Sequence, residues 1–143
     1  MRLLAHLRTA LFVCAISVFA SAPRAEVVVV VASNSPVETL SADEIATIFL
    51  GKTASYPNGL PAVPVDQPEG ARVREEFYSR ITGKTAAQLK AYWSRIIFSG
   101  RGEPPRQAGD SAGVKKVLQS NPNAIGYIDP SSIDAAVKVI YPR

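Results

Sequence analysis

The chain has 143 residues, with 16 basic and 12 acidic side chains, one Cys and one His. Arg2, Arg8, Arg24, Cys14 and His6 all fall in the first 25 residues, so residues 26–143 carry 13 basic groups against 12 acidic ones, with neither thiol nor imidazole. That balance excludes the charge footprint of a nucleic-acid binder, and the missing side chains exclude a thiol nucleophile, a disulfide, an imidazole base and a common zinc site.

Residues 1–25 have the order of a cleavable secretory signal. Arg2 and Arg8 give a positive start, and Leu11 to Ala20 form an apolar core too short to span a bilayer. Ala20, Ser21, Ala22 and Ala25 supply small residues for cleavage. A cut after Ala22 would put Pro23 at the scissile bond, so the reading places it after Ala25, with Glu26 starting the mature chain. Val13 precedes Cys14 where a lipid-attachment site needs Gly or Ala. The expected protein is therefore exported and periplasmic, with one domain over 26–143, large enough for a single core.

Val27 to Val31 is a β-branched run without polar alternation, which predicts a strand buried on both faces. Ser41 with Glu44 three residues on is a capping box, and Ile45, Ile48 and Phe49 are the apolar stripe of the helix it opens. Gly51 stops that helix. Ala62 to Asp66 reads as a second strand, and Pro68-Glu69-Gly70 as the turn after it. Val73, Phe77 and Ile81 recur at spacing four, so the next helix is expected over 71–81, ended by Gly83.

Thr85 and Gln88 repeat the capping box, with Leu89, Tyr92, Trp93, Ile96 and Ile97 expected as a buried face. The helix ends near Gly100. The Gly-, Pro- and Arg-rich stretch from Gly100 to Gly109 reads as a loop without regular structure. Asp110 or Ser111 caps a helix carrying Val114, Val117 and Leu118. After the Asn121-Pro122-Asn123 turn, Ala124 to Ile128 reads as a strand, Asp129-Pro130-Ser131 as a helical turn and Val137 to Tyr141 as the last strand. The alternation argues for an α/β fold built on a small mixed or parallel sheet flanked by helices.

Few residues propose chemistry. Gly51-Lys52-Thr53 and Gly83-Lys84-Thr85 look like the end of a phosphate-binding P-loop, but the required earlier glycines are replaced by Ala46 and Tyr78. Both tripeptides also follow helices, where the dipole repels phosphate. No paired-carboxylate motif stands out, so no enzyme reaction is proposed, and no cofactor or metal is implied. Arg72 and Arg74 are different. They open a helix just after Gly70, where free N–H groups and two guanidinium groups would suit an anion. The alternative is a solvated edge paired with Glu75 and Glu76. Arg101 and Arg106 flank Pro104-Pro105 and would either hold an oxyanion or belong to a surface loop pinned by prolines.

The runs LSADEIATIFLGK (Leu40 to Lys52), REEFY (Arg74 to Tyr78), YWSRIIFSGRGEPP (Tyr92 to Pro105) and NAIGYI (Asn123 to Ile128), in this order, resemble the phosphate-binding proteins of ABC transporters, within the two-lobed periplasmic binding protein superfamily. The resemblance implies the fold of one lobe. It also implies a small oxyanion as ligand and an ABC permease as partner, and the candidate binding residues taken together are Gly70, Arg72, Arg74 and Arg101. Where the family carries Ser-Gly-Thr, this chain has Glu69-Gly70-Ala71-Arg72-Val73-Arg74, of which Arg74 is the best match. A rival expectation follows from those absent hydroxyls: an envelope interaction module that keeps the fold without the ligand site. A homodimer would be a third arrangement, in which a second copy rebuilds a cleft.

Overall fold

The computed structural model describes residues 26–143. The signal segment expected at 1–25 lies outside them. A five-stranded mixed sheet is flanked by four helices. Its strands are β1 (Val28–Ala32), β2 (Val63–Asp66), β3 (Arg106–Gln107), β4 (Ala124–Ile128) and β5 (Val137–Tyr141), in the spatial order β3-β2-β4-β1-β5. β2 runs parallel to both β3 and β4, whereas β1 is antiparallel to β4 and β5. The helices are α1 (Ala42–Phe49), α2 (Arg72–Thr82), α3 (Ala86–Phe98) and α4 (Ser111–Ser120). Among the described residues, no helix is long and apolar enough to cross a membrane.

The β-branched run behaves as its composition requires. Val29 and Val31 pack into the apolar layer formed with α1, α2 and α3, while Val30 and Ala32 pack on the opposite face with Val114 and Leu118 of α4. Successive side chains of a strand point to opposite faces, so a strand with a helix layer on each side needs apolar residues at every position. Both capping boxes form: Ser41 with Glu44, and Thr85 with Gln88. Of the two candidates for the last helix, Asp110 is the cap, its carboxylate accepting from the Gly113 N–H.

Two expectations are corrected. The stretch 100–109 is not wholly irregular, because Arg106 and Gln107 form an edge strand beside β2. Ile97 is not part of the buried face of α3. It is 55 % exposed, and its neighbour Phe98 is 95 % exposed. Leu89 and Trp93 carry the burial of this helix, with Tyr92 and Ile96 packed at the margin.

Candidate functional site

Asp66 ends β2, and the chain then turns through Pro68-Glu69-Gly70 into α2. Open α/β sheets place ligands at such carboxyl ends of strands. Gly70 has φ +82°, the left-handed conformation that glycine adopts without a Cβ penalty. The turn delivers the chain to α2 with Ala71 at the N-cap, and no side chain caps this helix.

A polar network sits beneath the turn. Asp66 is 1 % exposed. Its carboxylate accepts hydrogen bonds from the Tyr78 hydroxyl at 2.8 Å, from the Tyr127 hydroxyl and from the Gln67 N–H at 2.9 Å. Arg74 Nε lies 3.4 Å from both carboxylate oxygens, and the guanidinium lies 5.1 Å from the Tyr78 ring centroid. Arg74 is itself 7 % exposed. Its two terminal nitrogens make no hydrogen bond among the described residues. Burial, and then the Asp66 charge, push both phenols well above their ordinary pKa, so they act as donors throughout the physiological range.

Arg74 lines a cleft of about 190 Å³ between the β2–α2 turn, α3 and the Pro104-Pro105 segment. Asp66 and Glu69 contribute carboxylates to it and Lys90 a second cation, while Trp93, Ile97, Pro104 and Pro105 form an apolar wall. Trp93 is 6 % exposed, and its indole N–H has no hydrogen-bond partner among the described residues. An unsatisfied buried donor of that kind costs about 1–3 kcal/mol.

The structure gathers the predicted residues unevenly. Arg74 lies in the cleft, directly after Glu69 and Gly70. Arg72 stands outside it, paired with Glu76 at 2.8 Å and with Asp129 at 2.9 Å. Asp129 is held below the ordinary carboxylate range, first by the hydroxyl and backbone N–H of Ser131, and to a lesser degree by Arg72. Arg101 is exposed and does not line the cleft. Arg106 faces neighbouring depressions on either side of the β2–β3 edge. Sequence reasoning missed Asp66 and Lys90. A carboxylate at a strand end and a lysine on a helix are ordinary in sequence, and only the fold brings them to Arg74.

A larger depression of about 390 Å³ lies between residues 36–40 and 56–58. It is lined by Glu38 and Glu44 without a cation, so it does not suit an anion. Among the described residues, no group of three or more His, Cys, Asp or Glu side chains is placed to hold a metal ion.

No protein-family model matches the sequence, and no curated protein matches it. Solved structures do. A protein from Clostridium perfringens, described as a phosphate ABC transporter substrate-binding protein with bound phosphate, is 25 % identical, with a TM-score of 0.64 over 80 % of this chain and 44 % of its own. An ABC-type phosphate transport receptor from Vibrio cholerae matches at 18 % identity and a TM-score of 0.63, over 80 % of this chain and 45 % of its own. PstS from Borrelia burgdorferi matches at 11 % identity and a TM-score of 0.61, over 82 % of this chain and 49 % of its own. The chain is thus similar to phosphate ABC transporter substrate-binding proteins and has the fold of one periplasmic binding protein lobe. It spans less than half the length of these structures.

Proposed function

We propose that this chain is an exported, non-enzymatic solute-binding lobe that takes phosphate or another small oxyanion in the cleft beside Arg74. One observation carries the reading. Arg74 is fixed through Nε by Asp66, lines the cleft, and keeps both terminal nitrogens without a partner among the described residues. A guanidinium held at one edge presents its other edge ready for an oxyanion, with little further ordering cost. Lys90 adds positive charge, and no side chain caps the start of α2. Arg72 and Arg101 would then serve the approach of an anion rather than its seat. An ABC permease is the partner this reading implies.

The experiment is a phosphate titration followed by backbone amide shifts. The reading requires saturable shifts confined to residues near 69–74 and 90–94. Shifts scattered over surface lysines and arginines would contradict it. Export has a separate measurement: the mass of the protein recovered from the envelope, which should begin at Glu26.

A second reading, the interaction module, is favoured by the α3 terminus. Phe98 and Ile97 present apolar surface to solvent beside the cleft, and Asp66 and Glu69 place negative charge where an anion would sit. A lobe that contacts an envelope protein through this edge would bind no phosphate in the titration above.

A further inference from the structure

We infer that the preferred ligand of the Arg74 cleft is a mono-substituted oxyanion, with its charged head at Arg74 and a short apolar substituent against Trp93, Ile97, Pro104 and Pro105. This deepens the oxyanion reading and rests on it.

The cleft is two-sided in chemistry. Its cations, Arg74 and Lys90, stand beside the Asp66 and Glu69 carboxylates and would take an anionic head, with Ser94 and Gln107 as further polar lining, while two proline rings, Ile97 and the Trp93 indole give it an apolar wall. Inorganic phosphate carries acceptors or hydroxyls on all four corners. A corner turned to that wall loses its water without gaining a partner, which is unfavourable. An alkyl group in place of one oxygen removes that cost and buries apolar area instead. The space agrees: a cleft of about 190 Å³ is more than a bare tetrahedral anion fills. Ile97 is more than half exposed and lines the cleft, so its side chain is available to a ligand substituent.

The test compares phosphate, methylphosphonate and propylphosphonate on the purified protein. The last two share one head group and differ only in alkyl length. Trp93 is the only tryptophan, so its emission reports the cleft directly, and calorimetry gives the affinities. Propylphosphonate should bind about tenfold tighter than methylphosphonate, as expected for two added methylenes that are largely buried. Ile97→Ser, at an exposed position that folding tolerates, should reduce that ratio to about two- to threefold by weakening propylphosphonate more than methylphosphonate. Equal affinity for the two phosphonates, with binding of all three anions intact, would overturn the substituent and leave the oxyanion reading standing. Binding of none of the three would overturn both. An alkyl preference that survives Ile97→Ser and leaves Trp93 emission unchanged would place the substituent elsewhere and contradict the inference.

Discussion

Asp66 and Arg74 stand eight positions apart, and the Arg74 Nε lies 3.4 Å from both oxygens of the Asp66 carboxylate inside the protein. The two ends of this pair are not equally supported. Asp66 keeps three other donors: Tyr78, Tyr127 and the Gln67 N–H. Among the described residues, Arg74 has only Asp66 and the face of the Tyr78 ring. Truncating the acid therefore strands a buried cation and two phenols, whereas truncating the base leaves the acid hydrogen-bonded.

Asp66→Ala should cost about 3–5 kcal/mol, the range for a buried pair broken by removal of one partner. Arg74→Ala should cost at least about 1 kcal/mol less, because the donors that remain are worth about that each. Urea unfolding of both variants measures the difference. Equal losses would mean that the phenols contribute nothing to holding the carboxylate.

The tyrosines give a pH prediction. Tyr56, Tyr78 and Tyr127 all have their phenol pKa raised, by burial for Tyr56, and by burial and then Asp66 for the other two. Their folded values lie above the unfolded one of about 10. The stability they contribute is complete below about pH 10 and is lost as pH rises beyond it, because only the unfolded chain releases these protons there. Phenolate absorbance at about pH 11 should therefore stay below that of the denatured chain, and the missing part should appear together with alkaline unfolding. Ionisation of all five tyrosines while the far-ultraviolet circular dichroism remains native would contradict the buried network.

Trp93 and Gly51 form a packed contact that two substitutions probe. A Cβ added at Gly51 would stand 3.1 Å from Cη2 of the indole, and Gly51 has φ +69°. Gly51→Ala should cost about 1–2 kcal/mol from the backbone conformation alone and should also shift the Trp93 emission. Trp93→Ala should cost about 3–5 kcal/mol, as for other large aromatic truncations. An unfolding midpoint close to wild type for Trp93→Ala would mean that the indole is not part of the core.

What could be read in advance follows the range of each interaction. Ser41 with Glu44 and Thr85 with Gln88 announce two helix starts because a capping box is written within four residues. The valines of β1 announce a doubly covered strand because burial on both faces demands them. Arg106–Gln107 gave no sign. Two residues beside prolines have no pattern, and they become a strand only by pairing with Val65 and Asp66. Ile97 fits the apolar period of α3, but periodicity cannot say where along a helix the covering layer ends. Asp66 was invisible as a hub because its phenol partners lie 12 and 61 positions away. Of the four arginine and glycine positions expected at the site, the fold gave Arg74 a cleft, kept Gly70 in the turn that leads to it, and turned Arg72 toward Glu76 and Asp129.

The central claim is that Arg74 seats an oxyanion in a cleft that is open on one side. Calorimetric titration of the purified protein with phosphate, with its oligomeric state measured in the same buffer, tests it most directly. An open site leaves the anion partly hydrated, and each wet charge contact is worth roughly 0–1 kcal/mol. The monomer should therefore bind phosphate with Kd on the order of 1 mM, equivalent to about −4 kcal/mol. Binding should weaken with added salt and fall at least about tenfold in Arg74→Ala. Micromolar binding by a dimer would mean that a second copy closes the cleft. Unchanged binding in Arg74→Ala, or no binding by the wild-type protein, would contradict the claim.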